Sequence, residues 1–282
     1  DIAPEYKGII DDPSINAMPY VGLDITDLLA VEKVLTEIKP DVVIHCAAWN
    51  AVDAAEKEEN IDKVRKTNAT ATKNIAKVCK EIDAKMVYIS TDYVFSGEGN
   101  APWPADNDFY EPQNNYGRTK LEGEQAVAEL MEKYFIVRTS WMFGINGNDF
   151  VKTIMELGKR HGVIHVVNDQ IGTPTYTSDL ARLIADMIET EKYGCYNATN
   201  EGGFISWYDF AVEILKLTGI DSTIIPVSTK DYGLLTAKRP LNSRLDKSKL
   251  VMAGFKPLPT WRDALSGYIN KLEAVGKINY EK

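Results

Sequence analysis

Tyr116-Gly117-Arg118-Thr119-Lys120 sets a phenol and an ammonium four residues apart, a spacing that places both on one face of a helix. An ammonium beside a phenol stabilises phenolate and lowers its pKa from the reference near ~10. Such a pair can therefore exchange a proton near neutrality. Spacing alone carries limited weight. With 14 tyrosines and 24 lysines in the chain, about one Tyr-x-x-x-Lys is expected by chance, and a solvated helix start with an exposed lysine would read the same way. Position adds the rest. The pair follows the apolar run Met86-Val87-Tyr88-Ile89-Ser90 and Thr91 by one long loop, 92–114, rich in Gly, Pro, Asn and Asp. Loops that long inside a compact domain are usually functional. In an open parallel sheet, ligands bind beyond the carboxyl ends of the strands. There Thr91 could donate a hydrogen bond to a carbonyl oxygen while Tyr116 delivers a proton and Lys120 tunes it. That set suits carbonyl reduction or alcohol oxidation, with a nicotinamide carrying the hydride.

The elements that must position these groups are read from periodicity. Asp41 to Ala48 is an apolar run after a Lys-Pro break and predicts a buried strand containing Cys46 as a small core residue. A helix with Val31, Val34, Leu35 and Ile38 precedes it; one long helix, 60–82, follows it. A helix over 115–133 leads to the run Phe135-Ile136-Val137-Arg138. Strands apolar on both faces, alternating with helices, predict a parallel sheet covered on both sides. The second half is less regular. Strands are expected at 163–167, 194–198 and 224–227, and helices at 178–189, 206–217 and 261–272. Ser206 reads as an N-cap, with Trp207, Phe210, Ala211, Ile214 and Leu215 at helical spacing behind it. Trp207, Tyr208 and Phe210 accordingly read as helix packing, and Asp53 and Glu56 as helix N-terminal charges rather than metal ligands.

Composition bounds the function. The 282 residues carry 32 Lys+Arg against 41 Asp+Glu, a net charge of −9. That argues against duplex nucleic acid as a partner. It leaves room for one anionic small ligand held by local cations. No apolar run reaches the ~18–20 residues that span a bilayer, and no secretion signal opens the chain. Three scattered cysteines, Cys46, Cys79 and Cys195, fit no disulfide scaffold or zinc spacing and point to a reducing cytoplasm.

In its motifs the chain resembles the extended short-chain dehydrogenase/reductase superfamily, and within it the dTDP-4-dehydrorhamnose reductase family. The resemblance runs through Leu23-Asp24-Ile25-Thr26, His45-Cys46-Ala47-Ala48, Ser90-Thr91-Asp92-Tyr93-Val94-Phe95 and Tyr116 to Glu124. It continues through Val137-Arg138-Thr139-Ser140-Trp141, Asn168 to Thr175, Ser206 to Phe210 and Lys238-Arg239-Pro240-Leu241-Asn242-Ser243. So many matches in the right order exceed chance similarity.

The resemblance implies an NADPH- or NADH-dependent reductase of a dTDP-linked 4-keto-6-deoxy sugar, with no nucleic acid or membrane partner and with a homodimer as a possible assembly. Mg2+ is compatible with it. Thr91, Tyr116 and Lys120 match the family's catalytic triad, Tyr116 and Lys120 also meeting the cofactor. Ala47 and Ala48 match the turn passing the cofactor, Asp24 and Ile25 the pair beside its adenine, and Asp1 the acidic contact to the adenosine ribose. Val52, Tyr93 and Trp141 fall at sugar or nicotinamide contacts, and Arg239 near the nucleotide end of the substrate. A cation there makes independent sense, since a diphosphate needs local positive charge in a protein of this net charge.

The implied fold is α/β: a Rossmann-type doubly wound parallel sheet with a smaller α/β substrate-binding domain. Residues 1–145 with about 172–198 would form the dinucleotide-binding domain, and about 146–171 with 199–282 the other. The family's first strand, glycine-rich turn and helix do not precede Asp1, so the chain reads as lacking the first βα unit. Asn50, Ser96 and Asp149 depart from the family's usual residues and bear on fine substrate contacts only. Two other readings share the fold: a non-catalytic homologue resembling the methionine adenosyltransferase beta subunit, and a nucleotide-sugar epimerase or dehydratase. The complete Thr91/Tyr116/Lys120 set and Trp141 favour the reductase.

Overall fold

A computed structural model describes residues 2, 3, 5, 18–233 and 236–276. Asp1 lies outside the described residues. Four strands, β1 (Val42–His45), β2 (Lys85–Thr91), β3 (Tyr134–Thr139) and, later in the chain, one over Gly194–Asn197, form a parallel sheet in that order. The mixed α/β architecture and parallel sheet agree with the fold class expected from sequence.

Alternation within the central strands explains their burial. Met86, Tyr88 and Ile136 face one side, packing on Val31, Ile75 and Val127; Val87, Phe135 and Val137 face the other, packing on Leu180, Ile184 and Met187. Side chains point alternately up and down a strand, so apolar residues at every position give two cores. β1 is less covered: among the described residues it pairs only with β2, and Ile44 is 45% exposed. The strand also stops at His45, so Cys46 is exposed, which corrects its reading as a core residue.

The covering helices are α1 (Leu28–Ile38), α2 (Ile61–Arg65), α3 (Ala71–Glu81), α4 (Asn115–Leu130), α5 (Phe150–Arg160) and α6 (Thr177–Ile188). Asp27 caps α1 by accepting from the Ala30 N–H, and Lys39 ends it in the left-handed region ahead of Pro40. The expected single helix over 60–82 is instead interrupted. A π-turn at Lys66–Thr70 separates α2 from α3 and turns Asn68 inward. The Asn68 side chain accepts from Trp49 N at 2.7 Å and donates to Trp49 O at 3.1 Å and Thr119 Oγ1 at 3.1 Å. It ties the turn after β1 to the middle of α4.

The remaining strands are β4 (Met142–Phe143), β5 (Val163–Val167), β6 (Ile171–Gly172), β7 (Thr175–Tyr176), β8 (Gly194–Asn197, the fourth strand of the main sheet), β9 (Ile205–Ser206) and β10 (Thr223–Val227), and a second core lies under those outside the main sheet. Helix α7 (Trp207–Thr218) covers the second core, α8 (Thr229–Tyr232) has no buried residue, α9 (Ser248–Met252) packs Leu250 into the sheet core with Val87 and Phe135, and α10 (Trp261–Ala274) also covers the second core. Phe143, Phe210, Ile214, Trp261, Leu265 and Tyr268 form its centre. Ser206 caps α7 in a full capping box with Asp209, as its position implied. Pairing of β5 with β10 and of β4 with β7 orders this region internally, and β4 is separated by two residues from Thr139, at the carboxyl ends that β3 shares with the parallel strands β1 and β2.

Candidate active site

The residues singled out for chemistry gather at those carboxyl ends. Thr91 closes β2, where its hydroxyl accepts from Tyr93 N at 3.2 Å and donates to Asp92 Oδ1 at 3.1 Å. The Tyr116 phenol comes from the first turn of α4. Asn114 caps that helix, accepting from Gly117 N at 2.8 Å while its amide donates to Lys238 O at 2.9 Å. A glycine is needed at 117. A Cβ there would lie 2.2 Å from Tyr93 O, so any side chain would push Tyr116 away from Thr91.

The two rings Tyr93 and Tyr116 meet edge to face, 5.6 Å between centroids. Burial pushes the Tyr116 phenol up to about 12, and the Thr91 hydroxyl facing it pulls the other way. Lys120, one turn on, donates Nζ to Ile89 O at 2.7 Å and lies 4.0 Å over the Tyr88 ring. Burial draws it down to about 7, with Glu124 opposing. Burial thus outweighs the lowering expected from Lys120, and the net shift of Tyr116 is upward. In this geometry Tyr116 is a phenol that keeps its proton at neutral pH, a donor rather than a base.

Asp92 was not picked out for chemistry from sequence. It is 2% exposed, burial pushes its carboxyl up to about 6, and the Ser243 and Thr91 hydroxyls moderate the rise. Its Oδ2 makes no hydrogen bond of normal geometry, although Ser243 is near enough to affect its titration. A buried acceptor left unpaired beside Thr91 is costly unless something donates to it. Its adjacency to Thr91 was the available signal.

A cavity of about 350 Å³ opens beside this cluster, with Val52, Tyr93 and Arg239 in its lining together with Phe150, Trp207 and Tyr232. Arg239 donates Nη2 to Asp53 Oδ2 at 2.5 Å, and its Nη1 is buried with no partner. Asp53 also accepts from Thr236 N and Ala237 N, and Glu56 accepts from Asn115 N at 2.6 Å. Both sit at helix starts as expected, Asp53 and Glu56 at the short 3-10 turn Ala54–Glu56 and the Glu56 carboxylate also at the N-terminus of α4. They also pin the turn after β1 onto distant segments.

Trp141 adopts φ 51 and stacks on Trp207, 3.8 Å between centroids and 16° between planes. It passes so close to Gly172 that a Cβ there would come within 2.9 Å of the indole. Trp141 backs the cavity through Trp207 rather than lining it. Trp207 packs on the second core as its helical pattern implied, and it also lines the cavity, which that pattern could not reveal. Tyr208 stays with the core as expected, partly buried against it.

A second cavity, about 480 Å³, is lined by Asp24, Ile25, Ala47, Ala48, Trp49 and Lys66 among others. Asp24 accepts from Thr26 N at 2.9 Å, which holds its carboxyl below the usual range. Among the described residues no three His, Cys, Asp or Glu side chains come together as a metal site, and no helix is long and apolar enough to cross a membrane.

Residues 11–274 match the RmlD substrate binding domain family. The dTDP-4-dehydrorhamnose reductase of Streptomyces griseus is 38% identical over 259 residues, 90% of this chain and 84% of that one. The chain belongs to the dTDP-4-dehydrorhamnose reductase family. Among solved structures, the family's protein from Clostridium acetobutylicum superposes with a TM-score of 0.85 at 47% identity, covering 89% of this chain and 88% of its own. The Bacillus anthracis protein, solved in complex with NADP, gives 0.84 at 42% identity over 88% and 87%. Membership makes this chain an oxidoreductase that uses a nicotinamide cofactor.

Proposed function

We propose that the chain reduces the 4-keto group of dTDP-4-dehydro-6-deoxy-L-mannose to dTDP-L-rhamnose, with Thr91, Tyr116 and Lys120 as its catalytic residues. The observation that carries the roles is the convergence of the Tyr116 phenol and Thr91 hydroxyl at the end of β2, beside a cavity holding a half-free guanidinium.

The cavity by Asp24 fits the adenosine end of a dinucleotide, since Ile25 and Leu23 offer apolar surface for a flat base and Ala47 and Ala48 let it approach the backbone. NADPH or NADH, when bound, supplies the hydride. Everything else falls to the chain. As negative charge grows on the carbonyl oxygen, Tyr116 gives up its phenolic proton to it. A donor that is neutral and protonated across the working pH is what this step requires. Thr91 turns its hydroxyl from Asp92 toward the same oxygen. The Lys120 ammonium then stabilises the Tyr116 phenolate left behind until a proton returns from solvent.

Arg239 meets the diphosphate through Nη1, held in place by its bond to Asp53. Val52 and Tyr93 flank the sugar, and Trp141 reaches it through its stack on Trp207. We place the dinucleotide-binding part in residues 1–145 with about 172–198, and the substrate-binding part in about 146–171 with 199–282, the reacting centre lying at their junction. The test is direct. The purified full-length protein should oxidise NADPH or NADH only when dTDP-4-dehydro-6-deoxy-L-mannose is present, with dTDP-L-rhamnose accumulating. Cofactor consumption without that product would remove the substrate assignment.

A further inference from the structure

Tyr116, Lys120 and Glu124 recur at i, i+4 and i+8 and so share one face of α4. Lys120 and Glu124 are both 3% exposed. The direct partners of Lys120 are neutral: the Ile89 carbonyl and the Tyr88 ring. Glu124, one turn below, is the carboxylate that acts on it. It is gripped by Arg138 of β3, with Nε to Oε1 at 2.9 Å and Nη2 to Oε2 at 2.6 Å.

The remaining arms of Arg138 reach the loop between Thr91 and Tyr116. Nη1 donates to Ala105 O at 3.0 Å, Nη2 to Tyr110 Oη at 2.9 Å, and the guanidinium lies 5.1 Å from the Phe95 and Tyr110 ring centres. Phe95 in turn stacks on Trp103 at 4.9 Å, and Trp103 bonds through its backbone N–H to Arg244 O and through its indole to Asn242 O. One buried ion pair thus touches the catalytic helix, the loop that joins Thr91 to Tyr116, and, through that loop, the segment bearing Arg239.

Burying such a pair gives little stability over an apolar pair of the same shape, because both charges lose water. Its placement suggests another use. We propose that Glu124 and Arg138 are positioning residues for the reduction: Glu124 is the counter-charge that keeps Lys120 an ammonium in a dry pocket, and Arg138 fixes that carboxylate while anchoring the loop. This rests on the reading of Lys120 as the group that supports Tyr116.

The groups around Lys120 allow a clean sign. Tyr116 and Glu124 lie on its own helix, His45 and Cys46 come from β1 and the turn after it, and Tyr88 from β2. Burial holds His45 neutral, with a pKa of about 3, and pushes the Tyr88 phenol up, while partial desolvation by its neighbours raises the thiol of surface-exposed Cys46. All three are uncharged at neutral pH. Glu124 is then the anion in the set, and burial has already brought Lys120 to about 7 with that anion present. Taking the anion away favours the neutral amine.

The experiment compares the pH dependence of kcat/KM in the wild type, Glu124→Gln, Glu124→Asp, and the double variant Glu124→Gln/Arg138→Gln, which leaves no guanidinium unpaired. The alkaline fall of the reduction should move to lower pH by about one unit or more in both variants lacking the carboxylate. Glu124→Asp should restore most of it, and cofactor affinity measured at pH 6 should change less than threefold. A general loss of activity with an unmoved alkaline limb would overturn the proposal, since a merely structural pair would do that.

NMR of the wild type needs no variant to fold. With side-chain carboxyl carbons labelled, the Glu124 signal should show a step at the pH where Lys120 titrates. A flat Glu124 signal through that pH also overturns it. If the wild-type protein shows the coupling but reduces no dTDP-sugar, the substrate reading fails and the positioning pair stands.

Discussion

Arg239 and Asp53 form a 2.5 Å ion pair that joins the turn after β1 to a segment 186 residues further along the chain. The same carboxylate accepts the N–H groups of Thr236 and Ala237, so three bonds converge on Asp53. The guanidinium is thereby held in the cavity wall, its Nη1 buried and without a hydrogen-bond partner. A charge-assisted contact to a diphosphate is worth roughly 1.5–3 kcal/mol. Arg239→Met should raise KM for the dTDP-sugar about 10- to 100-fold while lowering kcat much less, measured by steady-state kinetics at saturating cofactor. A fall in kcat at unchanged KM would place Arg239 at the reacting carbonyl instead.

Asp92 gives a stability signature. Its carboxyl is raised to about 6 in the fold against a reference near ~3.9, so the native state binds this proton more tightly than the unfolded chain does. The group's contribution is fully favourable below pH ~4 and is lost as pH rises through about 6. Asp92→Asn removes that loss while keeping an acceptor for Thr91. Relative to wild type, the variant should gain about 2 kcal/mol in stability between pH 4.5 and pH 8, read from urea unfolding at the two pH values. A difference that does not change with pH would show that Asp92 titrates normally.

Trp207 lines the cavity and Trp141 supports it from behind. Trp207→Ala should destabilise the fold by roughly 1–3 kcal/mol and raise KM for the dTDP-sugar, leaving the dissociation constant of NADPH within a factor of two. Calorimetric titration of each ligand separates the effects. Weakened cofactor binding would mean that the stack serves the wrong cavity.

Tyr116→Phe keeps the ring, its edge-to-face contact with Tyr93 and the packing of α4, and deletes the proton. Loss of a general acid typically costs 10²–10⁴-fold. Turnover should fall by that order with NADPH affinity retained, measured by stopped-flow and fluorescence titration. Wild-type turnover in this variant would reject the mechanism.

Much of this arrangement was legible in the chain itself. Apolar runs with residues such as Met86, Val87 and Tyr88 on both faces can only be a sheet with two covered sides, and the Tyr116–Lys120 spacing placed both groups on one helical face. Motif order then supplied the partners across the cleft. What stayed hidden depended on contacts between distant segments. Trp207 sits in an ordinary amphipathic pattern, and only the left-handed backbone at Trp141 turns that indole onto it. Asp53 and Glu56 look like charges at a helix start, and only the fold brings residues 236–239 and 115 to them. Periodicity also missed the π-turn at Lys66–Thr70, because one extra residue per turn leaves a helical pattern almost unchanged. Cys46 was misplaced for a related reason: an apolar run shows that a strand exists but not where it leaves the sheet.

The central claim is that hydride and proton are added across one sugar carbonyl beside Tyr116. The measurement that tests it most directly is the fate of deuterium. With NADPH or NADH deuterated at the transferring position and dTDP-4-dehydro-6-deoxy-L-mannose as substrate, NMR of the product should show one deuterium at C4 of L-rhamnose and none elsewhere. Product without deuterium at C4, or deuterium at another carbon, would contradict the account.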